Sequence, residues 1–401
     1  MAGLSRNGAK FVSTAMVAAL LAAACGTSAT SAPASAAAGS VAPATSSGPA
    51  ASSAAPATSS GPAASAATGG LCKLPNGKNG QFKVGIAIRE MVNDVDRDVV
   101  AGATAEIQAQ GGTVTVTDAG SDAQKQNDNV QSLITSNVDG LIAVLGDAQQ
   151  LSPLTQQATS KGIKVSTALV GSTATGALTD VGWDDPLAAA MMTRALFSSI
   201  GYKGNVYVFW VPGAPILETR KRVLEAIAKD YPQITLHDVA TEHGAAKSLS
   251  QMTDILTANP DKGSIAGVWG AYDLLVSGAN QAIQRAGRSE IKVTGIDGDK
   301  ITYQMLYQEG SPYVAGVTGD VPAIGKLAAD AIIKASCGLA SEVPPSTYTQ
   351  MWVETRNNGV QAGEMRWGAN LWSDLKLDKN AILQKYPQNQ QVIVVQPVLP
   401  R

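Results

Sequence analysis

Ile265–Asp273 reads I-A-G-V-W-G-A-Y-D, Leu274–Gly287 reads L-L-V-S-G-A-N-Q-A-I-Q-R-A-G, and Ile291–Gly298 reads I-K-V-T-G-I-D-G. Two short apolar runs, each ending in an aspartate (Asp273 and Asp297), enclose one helix-like segment. Short apolar runs alternating with helical segments predict a parallel sheet. Ligands of such sheets sit beyond the carboxyl ends of the strands. Asp273, Asp297, Trp269 and Tyr272 fall there, so this stretch is expected to form one wall of a binding cleft.

The same alternation runs through the chain. Strand-like runs at Phe82–Ile88, Thr113–Thr117, Leu141–Leu145 and Ile163–Ala168 are separated by helical spacings, such as Val95 to Gln110 ending at Gly111-Gly112. A second series starts at Asn205–Trp210 and continues to a single strand over Tyr348–Val353. Two successive sets of βα units predict two similar α/β lobes.

Composition narrows the function. The 401 residues carry a formal net charge of −2 with 15% charged residues, which gives no basic face for nucleic acid. The sequence holds no G-x-S-x-G, P-loop or H-E-x-x-H, and the exit of the first strand lacks G-x-G-x-x-G. Ser289-Glu290-Ile291-Lys292 fits S-x-x-K but enters a strand, where that motif has no role. His237 and His243 are six apart with no cysteine cluster, so no metal is expected. No cofactor is expected either.

The N-terminus carries its own signals. Residues 1–25 form a secretion signal: Arg6 and Lys10 precede an apolar run from Phe11 to Ala24 that is short for a membrane span. Leu21-Ala22-Ala23-Ala24-Cys25-Gly26 resembles a bacterial lipobox, although Leu21 stands one position further back than usual. The resemblance implies lipidation at Cys25 and tethering outside the cytoplasm. The alternative is plain cleavage after an Ala-x-Ala site. Residues 26–70 contain no charge, and the unit Ala42–Ser52 recurs at Ala55–Ser65. Such a segment is expected to serve as an unfolded spacer. Of the other cysteines, Cys72 and Cys337 either pair in an oxidising compartment or remain as two thiols.

From Phe82 to about Val353 the chain resembles the type I periplasmic sugar-binding proteins, the ribose- and xylose-type receptors of bacterial ABC importers. The resemblance rests on Phe82-Lys83-Val84-Gly85-Ile86-Ala87-Ile88, on Leu256-Thr257-Ala258-Asn259-Pro260-Asp261, on Ala271-Tyr272-Asp273 and above all on Gly295-Ile296-Asp297-Gly298. It implies an α/β fold of two Rossmann-like lobes with parallel sheets, joined at a hinge by three crossovers near Asp184, Asp320 and Ser346. Lobe 1 then takes residues 71–184 plus 321–346, lobe 2 takes 185–320 plus 347–366, and 367–401 is a C-terminal extension packed on the outside of a lobe. Cys72 and the helix before Cys337 fall in one lobe, which favours their disulfide.

The resemblance also implies the activity. A small solute, a sugar or sugar-like molecule, is captured between closing lobes of a monomer, and an ABC permease reads the closed shape. Alternatives are a ligand sensor for a membrane kinase or chemoreceptor, and a binding protein for a non-sugar solute. No enzymatic activity is implied.

Carried over by position, Asp297 matches the ligand-binding aspartate, and Tyr272 stands where the family often has asparagine. Asn93, Asp94 and Asp96 lie in the loop after the first strand. Trp183, Asp184 and Asp320 lie in crossovers, and Arg220 lies where an arginine often contacts ligand. Trp210 and Trp269 are further candidate stacking rings. Asp273 is expected to cap its helix or support the hinge. One departure concerns Leu169 and Val170, where ribose-type members carry Asp-Arg; it implies an apolar surface at that point of the cleft.

Overall fold

The computed structural model describes residues 72–396 except Asn79. The signal segment, Cys25 and the spacer lie outside the described residues. Among the described residues no helix is long and apolar enough to cross a membrane.

The strands are β1 (Lys83–Ile88), β2 (Thr113–Asp118), β3 (Gly140–Val144), β4 (Lys164–Ala168), β5 (Asp180–Gly182), β6 (Gly204–Trp210), β7 (Ile234–Ala240), β8 (Gly267–Gly270), β9 (Lys292–Ile296), β10 (Tyr313–Gly319), β11 (Ser346–Tyr348), β12 (Met351–Thr355) and β13 (Val394–Val395). They form two sheets, ordered β2-β1-β3-β4-β5-β11 and β7-β6-β8-β9-β10-β12-β13. Each sheet therefore repeats one doubly wound order, second-first-third-fourth-fifth. Its switch point lies between the first and third strands of each lobe: β1 and β3 in one, β6 and β8 in the other.

The helices are α1 (Asp94–Ala109), α2 (Ala123–Thr135), α3 (Ala148–Ser160), α4 (Asp185–Ser199), α5 (Pro215–Ala228), α6 (Ala245–Ala258), α7 (Asp273–Arg285), α8 (Lys300–Tyr307), α9 (Val321–Ser336), α10 (Gly359–Trp367), α11 (Leu371–Asp374) and α12 (Lys379–Lys385). α1 starts with a reciprocal cap: Asn93 Oδ1 accepts from Asp96 N–H, and Asp96 Oδ2 accepts from Asn93 N–H. α3 begins four residues before the expected Ser152, because Asp147 caps it through Gln149 and Gln150 N–H.

The chain passes between the sheets three times, after Gly182, after Gly319 and between Tyr348 and Met351. The first two passages share a signature, an aspartate cap followed two residues later by proline: Asp184 before α4 and Asp320 before α9. The third lies beyond the expected Ser346, because Ser346–Tyr348 pairs with β5 in the first sheet. The expected strand Tyr348–Val353 is thus two strands on two sheets. The second sheet is not wholly parallel. β10 leaves it at Gly319, and β12 enters at Met351 directly opposite, so β12 must run back antiparallel. β13 pairs antiparallel with β12 in turn.

α9 returns to the first lobe and packs along α1. Two glycines permit the close approach: a Cβ on Gly102 would overlap Pro322 O, and one on Gly325 would overlap Val99 O. Cys72 is joined to Cys337, the C-cap of α9, with Cα atoms 6.3 Å apart. The C-terminal extension packs on the second lobe. Trp372 lies edge-on to Tyr303 and Tyr307, with centroids 6.1 and 5.7 Å away.

Candidate functional site

Both switch points face one cavity of about 350 Å³ between the lobes. That is the small end of ligand cavities, the scale of a single small molecule and not of a glycan fragment. Polar contacts cross from lobe to lobe beside it. Glu90 Oε1, beyond β1, lies 3.3 Å from His243 Nδ1, beyond β7. Asp94 Oδ2 accepts from Lys300 N–H at 3.0 Å, and Asp299 Oδ1 accepts from Val95 N–H at 3.3 Å.

Asp297 stands at the exit of β9 with φ of 125°, a backbone state that costs on the order of 1–3 kcal/mol outside glycine. The turn is held on several sides. Asp297 N–H donates to Val317 O at 2.8 Å, Thr318 Oγ1 donates to Asp297 O at 2.8 Å, and Trp367 Nε1 donates to Gly298 O at 3.0 Å. Beneath it lies Asp273, wholly buried, accepting from Gly298 N–H at 2.7 Å, Tyr313 OH at 2.7 Å and Thr302 Oγ1 at 2.5 Å. Asp273 therefore anchors the Asp297 turn and does not cap its own helix; burial raises its carboxyl to about 6 despite these donors.

Arg220 of α5 is buried beside this turn. Its Nε donates to Asp185 Oδ1 at 2.7 Å, and its Nη1 donates to Ala271 O at 2.7 Å and to Asp297 Oδ1 at 3.3 Å. Burial holds the Asp297 carboxyl well above the usual range; Arg220 opposes this, while the charges of Asp273 and Asp96 add to it. Asp96 is raised to about 7, first by burial, with Glu90 adding to it. The Tyr272 hydroxyl is pushed up by burial; it accepts from Gly244 N–H at 3.0 Å and lies 3.3 Å from His243 Nδ1.

Six of the sequence-derived positions meet around the cavity: Asn93, Asp96, Trp183, Arg220, Tyr272 and Asp297. Three do not line it. Trp269 is wholly buried, with its Nε1 donating to Thr193 Oγ1 of α4 at 3.2 Å, so it turns into the helix layer. Asp184 and Asp320 have their carboxylates occupied as helix caps, accepting from Leu187 and Ala323 N–H. Trp210 also lies off the cavity, with its indole N–H on Glu218 Oε1 at 3.3 Å. Leu169 lines the cavity as expected from the departure noted there, whereas Val170 is buried in the core behind β4. Asp180 holds that turn as Asp273 holds the other, accepting from Thr167 Oγ1 at 2.7 Å, Gly171 N–H at 2.9 Å and Val170 N–H at 3.3 Å.

The sequence did not single out Arg89, Ser121, Leu145, His243 or the segment Val211–Leu217, which runs from the end of β6 into the first turn of α5; all of these line the cavity. Glu90 also lines it, and Ser121 Oγ donates to Glu90 Oε2. The available signal was positional: each lies just beyond the end of a strand.

Two lobes of one doubly wound order, closed on a polar cavity at their switch points, define a hinged solute-binding protein. A family model described as "periplasmic binding protein domain" matches residues 84–340, and the chain belongs to that family. Among curated proteins it is 26% identical over 257 residues to the ribose import binding protein of Bacillus subtilis, covering 64% of this chain and 82% of that one. It is 29% identical over 183 residues to a xylitol-binding protein of Mycolicibacterium smegmatis, covering 45% of this chain and 52% of that one. Among solved structures, an ABC transporter solute-binding protein from Agrobacterium vitis with bound allitol superposes with a TM-score of 0.66 at 27% identity, covering 71% of this chain and 99% of that one.

Proposed function

We propose that this protein captures a sugar or polyol between its two lobes outside the cytoplasm and delivers it to the permease of an ABC importer. The observation that carries this reading is the convergence of charged and hydroxyl groups from both lobes on one monosaccharide-sized cavity: Glu90 and Asp96 from the first, Arg220, Tyr272 and Asp297 from the second. A small polyhydroxylated solute exchanges its water hydrogen bonds for such convergent donors and acceptors. A solute touching both lobes binds the closed state better than the open one and shifts the population towards it. The relatives that bind ribose, xylitol and allitol support the solute class. In this reading the protein acts as a monomer without catalysis, its signal segment is removed, and lipid on Cys25 tethers it to the membrane, with residues 26–70 as the spacer.

Thermal unfolding of the full chain with pentoses, hexoses, pentitols and hexitols, and with amines and amino acids as the contrasting set, tests the reading. A sugar or polyol at a hundred times its Kd adds about 2.7 kcal/mol of stability. Asp297→Ala should lose that shift while still unfolding cooperatively. A shift produced only by amines or amino acids would remove the sugar reading; a shift retained in Asp297→Ala would remove Asp297 from the site.

A further inference from the structure

The cavity has two chemically different ends. At one, beyond β1, β7 and β8, Glu90, His243 and Tyr272 form a linked polar group, continued by Arg220 and Asp297. At the other, beyond β3, β4 and β5, Leu145, Leu169 and Trp183 present an apolar face, with Asp147, whose Oδ1 caps α3, and Gln150 also in the lining; from the second lobe it is closed by Val211–Leu217, the loop after β6 and the first turn of α5, which carries no charged side chain. Leu169 Cδ2 lies 3.6 Å from where a Cβ at Gly182 would stand, beside Trp183. Ile216 Cγ1 lies 3.4 Å from where a Cβ at Gly171 would stand, so the apolar parts of the two lobes meet. The exits of β1 and β4 are separated by two strand spacings, about 10 Å. One small solute can therefore span both ends.

The apolar end is also strained. Leu145 and Leu169 occupy left-handed backbone conformations, with φ of 60° and 55°. Such states are costly for a branched side chain and cluster where a ligand is clamped. Hydroxyls set against the Leu169 and Ile216 side chains themselves would find no partner there, at a cost per group comparable to a lost hydrogen bond.

We infer that the preferred solute is a sugar or polyol carrying an uncharged apolar substituent, with its hydroxyls towards Glu90, Tyr272, Arg220 and Asp297 and its substituent towards Leu169 and Ile216. This rests on the sugar-binding reading above and narrows it to amphiphilic derivatives.

Titration calorimetry on the full chain tests it with two matched series: ribose, xylitol and allitol, and the deoxy and O-alkyl derivatives of pentoses and hexoses. The substituted series should bind more tightly, by about fourfold for each methylene buried. Leu169→Asn, whose side chain tolerates the left-handed conformation, and Ile216→Ser, at a half-buried position, should each erase that gain, so that the affinity ratio between the two series falls to about one; a ratio unchanged in both variants would overturn the inference. Unsubstituted solutes binding as tightly as their alkylated partners would overturn the inference and leave the sugar reading intact. Neither series binding, with an amine or amino acid bound instead, would overturn both.

Discussion

Replacing Arg220 by methionine removes one buried cation and keeps an apolar stem of similar reach. The guanidinium serves two carboxylates and a carbonyl: Asp185 at 2.7 Å, Asp297 at 3.3 Å and Ala271 O at 2.7 Å. Arg220, Asp185 and Asp297 are only 4%, 6% and 5% exposed, so solvent cannot replace the lost partner. Breaking one buried pair typically costs 3–5 kcal/mol, and with two acids stranded the upper half of that range, about 4–5 kcal/mol, is expected. At roughly 2 °C per kcal/mol for a chain of this size, the melting temperature falls by on the order of 10 °C.

The loss should depend on pH. Burial already raises both acids, and Arg220 holds them down. Without it both rise further, so above the ordinary carboxylate range the folded variant binds more protons than its unfolded chain. Stability then falls as pH rises and is fully present only below the unfolded-state value. The deficit against the unaltered protein is therefore larger at pH 8 than at pH 5. Thermal melts followed by circular dichroism at the two pH values read this directly. A variant melting within about 1 °C of the parent at both, or a deficit that grows on acidification, refutes the reasoning.

Two further perturbations test the scaffold. Gly325→Ala drives a methyl group into Val99 O of α1 and should cost about 1–3 kcal/mol by separating α1 from α9, seen as a lower urea midpoint with an unchanged slope; an unchanged midpoint would mean the helices part without penalty. Reducing the Cys72–Cys337 bond, or changing both residues to serine, opens a loop with a sequence separation of 265 and should lower stability by up to about 5 kcal/mol; identical melts with and without reductant would show that the bond does not constrain the unfolded chain.

The fold was legible because its signal is local. Each strand–helix alternation is written in a dozen residues, and Asp-x-Pro after a strand marks two of the three passages. The third, expected near Ser346, falls a few residues later because β11 and β12 are separated only by Thr349 and Gln350, and their pairing partners alone assign them to different sheets. The site was legible in part for the same reason. Asp297 and Tyr272 are set by strand ends, and strand ends can be read. Trp269 also sits in a strand, yet its side chain alternates to the helix face, where Thr193 holds it. Glu90 and His243 are 153 positions apart, and nothing in either neighbourhood indicates that closing the lobes brings them together. Nothing in Val211–Leu217 itself shows that Ile216 comes to lie against Gly171 of the other lobe.

The three passages also govern the order in which the molecule can be completed. All of the second sheet except β12 and β13 is drawn from one unbroken stretch, Gly204 to Gly319, so its core contacts are available as soon as that stretch exists. The first lobe is begun earlier in the chain but lacks α9 and β11 until residues 321–348 follow, and its disulfide partner stands at position 337. During synthesis the N-terminal lobe therefore waits with the surface of α1 and the edge of β5 uncovered until residue 348, and the second lobe waits longer still with the edge of β10 uncovered, until β12 follows. Exposed apolar faces and open strand edges are where chains associate wrongly. That interval is the stage at which a holding chaperone would matter most.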